Sequence, residues 1–263
     1  MNQTWLISGP PGCGKTNWIL NTLKSHTGPC GYLRLEGRSK PGLEQGQDQN
    51  IDWNWLKDQI PHLKNMNSHD YSKEAESQDS MFKLIEISEF QALRGTEPDG
   101  INSLLRAQLD ALNLQPEQIR HFDKDPELPK QDTLDYNTLE SWSIKLNENV
   151  WDPNSLSSFW FELVNGAYGD VYRAKALMNL PDGRAFYCNW IVSQQGSQFL
   201  PLNGVEQPNG RPKRLSALVV QGKALNNSDI QATIQDCLLS DDVLEMHQAQ
   251  RRVQQPTTNP SIL

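Results

Sequence analysis

"WLISGPPGCGKTNW", Trp5 to Trp18, decides the reading of this chain. Two prolines and three glycines interrupt two apolar runs, and a lysine and a threonine close the interruption. Within it, "GPPGCGKT" (Gly9–Thr16) fits G-x-x-x-x-G-K-[ST], the phosphate-binding P-loop pattern. Backbone N–H groups can surround a polyphosphate only where the chain wraps closely. Gly9, Gly12 and Gly14 permit that because they lack Cβ and tolerate φ > 0. Lys15 supplies a flexible point charge for the β- and γ-phosphates, and Thr16 a hydroxyl for Mg²⁺. The helix expected to start near Lys15 aims its N-terminal N–H groups at the same phosphates. The flanks agree. "TWLIS" (Thr4–Ser8) reads as a buried parallel strand, and "TNWILNTLKSH" (Thr16–His26) has apolar residues near helical spacing. The expected nucleotide-binding residues are therefore Gly9, Pro10, Pro11, Gly12, Cys13, Gly14, Lys15, Thr16 and Asn17. The cofactors are Mg²⁺ and GTP or ATP, with Thr16 the metal-facing residue and Lys15 catalytic. Cys13, inside the loop, reads first as a small residue that fits; a thiol near a helix N-terminus also raises the idea that its oxidation blocks nucleotide binding.

Downstream, "YLRLEG" (Tyr32–Gly37) alternates like a strand, and residues 38–50 are polar and rich in Gly and Gln. "IDWNWLKDQIPHL" predicts a short helix stopped by Pro61. "MFKLIEISEF" (Met81–Phe90) is the next apolar strand. In a P-loop domain a strand beside the first ends in an acid near Mg²⁺ and the attacking water, which makes Glu86 the second catalytic candidate. An ordinary strand-end glutamate is the equal alternative. "DGINSLLRAQLDALN" (Asp99–Asn113) predicts an amphipathic helix with Ile101, Leu104, Leu105, Leu109 and Leu112 on one face. "QIRHF" is a further strand, and "DKDPELPKQDTLD" an acidic connector. The "DKD" at Asp123–Asp125 is the nearest approach to the guanine-reading N-K-x-D motif and lacks its Asn and its spacing.

The chain has 263 residues and a net charge of −8. Residues 1–150 carry 15 basic against 22 acidic side chains, while residues 151–240 balance at 7 and 7. Neither part has the basic excess of a nucleic-acid binder. No apolar run approaches the roughly 20 residues of a membrane span, and no signal peptide is evident, so a cytoplasmic protein is expected. The four cysteines and five histidines show no metal-ligand spacing and read as reduced thiols and surface imidazoles.

From Trp151 the pattern changes to helix, turn and two or three antiparallel strands, with "LPDGR" (Leu180–Arg184) as the hairpin turn. "RLSALVVQGKALNNSDIQATIQDCLLSD" follows as strand, turn and a helix capped near Asn227 or Ser228. The expected division is 1–150 as a nucleotide-binding domain, 151–240 as a second domain, and 241–263 as a helix end and a disordered tail.

"VYRAKALMNLPDGR" (Val171–Arg184) and "RLSALVVQGKAL" (Arg214–Leu225), behind an N-terminal P-loop, resemble the CobW-type P-loop GTPases, relatives of the nickel-insertion GTPases UreG and HypB. The first is like the family's R-x-K-G strand and turn, the second like its R-x-S-x-L-V-F-I-G segment. "LIEISEF" is similar to the family strand ending in E-x-x-G, with Glu86 at its glutamate and Glu89 where its glycine stands. The resemblance implies an α/β chain: a P-loop NTPase domain with a mostly parallel sheet, then a small CobW-type α+β domain with antiparallel strands. It also implies slow GTP hydrolysis, a metal-homeostasis role and a client metalloprotein; the charge balance and the lack of a long apolar run point to no nucleic acid or membrane partner. The family's C-x-C-C and N-K-x-D motifs are absent, which marks a divergent or reduced member. Two other readings follow from those absences. One is a pseudo-GTPase serving as a protein-interaction module, the other an ATP-specific P-loop protein.

Overall fold

The computed structural model describes residues 3–10, 12–35, 50–66, 81–87, 101, 103–122 and 139–254. Pro11, Asp123–Asp125 and Glu89 lie outside them. The chain divides into two units, Met1–Asn137 and Thr138–Leu263.

The first unit is an α/β layer structure. Its strands are β1 (Gln3–Ser8), β2 (Cys30–Leu35), β3 (Lys64–Asn65), β4 (Phe82–Ile87) and β5 (Gln118–His121). They form one parallel sheet in the order β3-β2-β4-β1-β5. Both faces are covered, which is why the central strands are apolar almost throughout. On one face Ile7, Tyr32, Phe82 and Leu84 pack against Ile19 and Leu23 of α1 (Lys15–Ser25) and against Trp53 and Leu56 of α2 (Ile51–Gln59). On the other face Leu6, Leu33 and Ile85 pack against Leu105 and Leu109 of α3 (Ser103–Ala111). The expected apolar stripe of α3 is narrower than the periodicity implies. Leu104 and Leu112 are 36% and 37% exposed, so only one edge of that stripe meets the sheet.

α2 has a sharp start. The Asn50 side chain accepts from the backbone N–H of Asp52 and Trp53, an N-cap that satisfies two otherwise orphaned donors. Its fully buried Leu56 and nearly buried Trp53 tie it to the sheet, each contributing about 1.5–3 kcal/mol.

The second unit contains β6 (Glu140–Lys145), β7 (Asp170–Asn179), β8 (Ala185–Ile191), β9 (Gln198–Pro201) and β10 (Ala217–Lys223). They form an antiparallel sheet in the order β6-β10-β7-β8-β9. One face, with Ala174, Ala176, Met178, Cys188, Leu218 and Val220, packs against α4 (Pro153–Val164) and α5 (Asn227–Cys237). The turn at Leu180–Arg184 joins β7 to β8, with the Asp182 carboxylate accepting from the Arg184 N–H at 3.1 Å. Gly183 has φ +85°, and a Cβ there would collide with the Glu206 carbonyl oxygen.

Three expectations shift here. β6 belongs to this sheet although it precedes residue 150. The cap of α5 is Asn226, whose side chain accepts from the Asp229 N–H, one residue ahead of the expected position. The helix end expected from residue 241 is a separate helix, α6 (Asp241–Gln254), with Asp241 and Asp242 in its first turn and Arg251 and Arg252 in its last, each matched to the helix dipole. Among the described residues, no helix is long and apolar enough to cross a membrane.

Candidate functional site

β1 ends at Ser8, and the chain turns through the glycine loop into α1. Gly12 and Gly14 sit at φ +83° and +87°, left-handed values that a side chain would strain. Gly9 is required for a different reason: a Cβ there would lie 2.7 Å from the Phe122 Cβ and 3.0 Å from the Cys13 Sγ. Gly14 is the N-cap of α1 and, as glycine, provides no side-chain cap to the first-turn N–H groups. That end therefore carries the positive pole of the helix dipole with no acidic residue in its first turn.

Lys15 is folded back into the loop. Its Nζ donates to the Gly9 carbonyl at 2.6 Å and to the Pro10 carbonyl at 3.0 Å, and lies 3.8 Å from the Cys13 Sγ. Cys13 is buried. Asn17 is exposed on α1.

Thr16 donates its Oγ1 hydroxyl to Asp52 Oδ1 at 3.2 Å. The other oxygen, Oδ2, accepts from Arg34 Nη1 at 2.6 Å, and the same nitrogen reaches the Asn50 Oδ1 at 3.2 Å. Arg34 lies in register with Glu86, and Ile7 with Glu86 on the other side, so all three sit together near the C-terminal edge of the sheet. That edge is where ligands of open α/β sheets bind. Glu86 is 3% exposed and accepts a hydrogen bond from the Tyr32 hydroxyl. Tyr32 is fully buried and stacks on Trp53 with ring centroids 6.2 Å apart.

The electrostatics of this group are interlocked. Burial opposes the Arg34 cation, but the carboxylates of Glu86 and Asp52 outweigh it and push its pKa above the usual arginine range. Burial, with the negative charge of Glu86, holds the Tyr32 hydroxyl well above the usual phenol range, so it remains a donor. Two carboxylates and two cations, Lys15 and Arg34, thus share one end of the sheet.

The donor set suits a hard cation. The Thr16 proton is committed to Asp52, which leaves oxygen lone pairs as what the hydroxyl presents to a metal. Among the described residues, no group of three or more His, Cys, Asp or Glu is placed to hold a metal ion by itself.

The structure brings Gly9, Pro10, Gly12, Cys13, Gly14, Lys15 and Thr16 into one loop and helix start, and places Glu86 on the neighbouring strand. Asp52, Arg34, Asn50 and Tyr32 join them, and of the four neither Asp52, Arg34 nor Tyr32 is singled out by its local sequence. Asn50 carried the one legible signal, an Asn followed by an acid at the start of an apolar-periodic segment.

No protein-family model matches the chain, and no curated protein matches it in sequence. Among solved structures, the Zn(II)-bound YjiA GTPase from E. coli is 12% identical, with 90% of this chain and 99% of that one aligned and a TM-score of 0.32. A Zn(II)-bound triple mutant of the same GTPase aligns over the same shares at 12% identity and a TM-score of 0.33. A fungal RNA kinase aligns over 89% of both chains at 10% identity and a TM-score of 0.17.

Proposed function

We propose that this chain binds a purine nucleoside triphosphate with Mg²⁺ at Gly9–Thr16 and hydrolyses it slowly, as a divergent CobW-type protein. The observation that carries the reading is the buried Lys15 ammonium lying on the Gly9 and Pro10 carbonyls at the mouth of a left-handed glycine loop. A cation parked on loop carbonyls can exchange those partners for phosphate oxygens without a new path through the core. The loop and first-turn N–H groups would bind the β-phosphate, and Lys15 would offset charge developing on the transferred group. Thr16 would hold the metal. When bound, Mg²⁺ neutralises the β- and γ-phosphate oxygens. Glu86 would orient the attacking water once Tyr32 yields its hydrogen bond. Preference for GTP over ATP, a role in metal homeostasis and a client metalloprotein rest on the sequence resemblance alone.

The burial of Glu86 beneath Tyr32 favours a second reading, in which nucleotide is held without turnover and the second unit serves a protein partner. Phosphate release from MgGTP and MgATP separates the two. The first reading predicts slow release that falls at least ~100-fold in Lys15→Ala. Equal release from both proteins would overturn it. Binding with no release at all would select the second.

A further inference from the structure

Asp52 is fixed from three directions. Its backbone N–H is held by the Asn50 side chain at 2.8 Å, its Oδ2 by Arg34 at 2.6 Å, and its helix by the stacked Trp53 and the buried Leu56. Its Oδ1 accepts from the Thr16 hydroxyl at 3.2 Å, 36 residues away in sequence. An ion pair that served only to fasten α2 to β2 would be complete with Arg34 and Asn50. The bond to Thr16 adds something else, because it fixes which way a phosphate-loop hydroxyl points.

We propose that Asp52 is a positioning residue for the metal-facing Thr16 hydroxyl, and that Arg34, by occupying the other Asp52 oxygen, limits how strongly the site draws Mg²⁺. The proposal rests on the P-loop reading above. A carboxylate accepting the Thr16 proton locks the rotor and makes the oxygen a better ligand, as partners behind metal ligands do generally. Arg34 subtracts from that effect in two ways. It neutralises the Asp52 charge, and it takes one of the two oxygens out of play. The side chains of Arg34 and Asp52 are 25% and 6% exposed, so water screens the pair only in part. Removing Asp52 and removing Arg34 should therefore move the metal requirement in opposite directions.

The test titrates GTP and ATP into the full chain by calorimetry, across a series of Mg²⁺ concentrations and in EDTA. For Asp52→Asn, the Mg²⁺ concentration giving half of the affinity gain should rise about 10-fold, with the affinity in EDTA changed less than about twofold. For Arg34→Gln, the same concentration should fall by about threefold or more. The double variant should lie closer to Asp52→Asn than to Arg34→Gln, because Arg34 bears on the Thr16 hydroxyl through the Asp52 carboxylate that it holds at 2.6 Å. The double variant also removes both buried charges together, so it carries the comparison should Asp52→Asn melt early. Shifts of the same sign in the two single variants, or no shift in either, would overturn the proposal and leave the P-loop reading intact. Absence of nucleotide binding by the wild-type chain would overturn both.

Discussion

Lys15 in the first unit and Arg214 in the second are both cations bound to backbone carbonyls, yet they are built for different ends. Lys15 reaches two carbonyls of its own loop, five and six residues away, through one rotatable ammonium. Arg214 spreads its planar fork over three distant segments. Its Nε donates to Asn179 at 2.8 Å, its Nη1 to the Gly204 carbonyl at 2.6 Å, and its Nη2 to the Gly183 carbonyl. Glu206 adds an ion pair at 3.7 Å. A point charge on local carbonyls can leave them at little cost, whereas a fork that joins segments 10 to 35 residues apart is part of the architecture. A cation on carbonyls is thus a candidate for ligand exchange when those carbonyls belong to the loop that would receive the ligand.

The sharpest break in that comparison comes from deleting each cation. Lys15→Ala should weaken nucleotide binding at least ~100-fold while moving the denaturation midpoint of the first unit little. Arg214→Ala should leave nucleotide affinity unchanged and destabilise the second unit by about 3 kcal/mol, read from chemical denaturation. If Lys15→Ala unfolded the protein and Arg214→Ala did not, the assignment of roles would be reversed.

The glycines give the next contrast. Gly9→Ala should lower nucleotide affinity by ~10-fold or more, because the Phe122 contact forces the loop to shift. Gly183→Ala should cost about 2 kcal/mol of stability with affinity unaltered, from its left-handed φ and the Glu206 collision. Equal stability losses in the two would remove the distinction.

The smallest expected effect lies at the start of α4. Asp152 caps that helix through the Ser155 N–H at 2.8 Å, and this backbone hydrogen bond, with help from the Ser155 hydroxyl, holds its carboxyl below the usual aspartate value. Because the folded pKa is the lower one, the contribution is present above the unfolded value and is lost as pH falls through the folded one. Asp152→Ala should therefore cost about 1 kcal/mol near neutral pH, with wild type and variant converging in strong acid. A gap that persisted in acid would mean that the cap does not depend on the carboxylate charge.

The parts of this molecule that were legible in advance are local in sequence. Strand, glycine loop, Lys15 and helix start fall within about twenty residues, and the Leu180–Arg184 turn needs only five. Pairings across the chain were not legible. Asp52 meets Thr16 across 36 residues, and Tyr32 meets Glu86 across 54, so no window of periodicity could join them. β6 has a weak local signal because it is an edge strand with one face exposed, and its alternation of Trp142 and Ile144 with Ser141, Ser143 and Lys145 is carried by only two apolar residues. The extent of α6 is obscured by its polar composition. Its acids at the start and arginines at the end were the available signal, and Gln248, buried against both the N–H and the carbonyl of Gly210, holds it in place.

The central claim is that Gly9–Thr16 is a working phosphate site. Titrating MgGTP and MgATP calorimetrically into the wild-type chain and into Lys15→Ala tests it most directly. The account predicts one-to-one binding of at least one nucleotide by the wild type and its loss in a Lys15→Ala protein that still melts cooperatively. Failure of the folded wild-type chain to bind either nucleotide at millimolar concentration, or undiminished binding by Lys15→Ala, would contradict it.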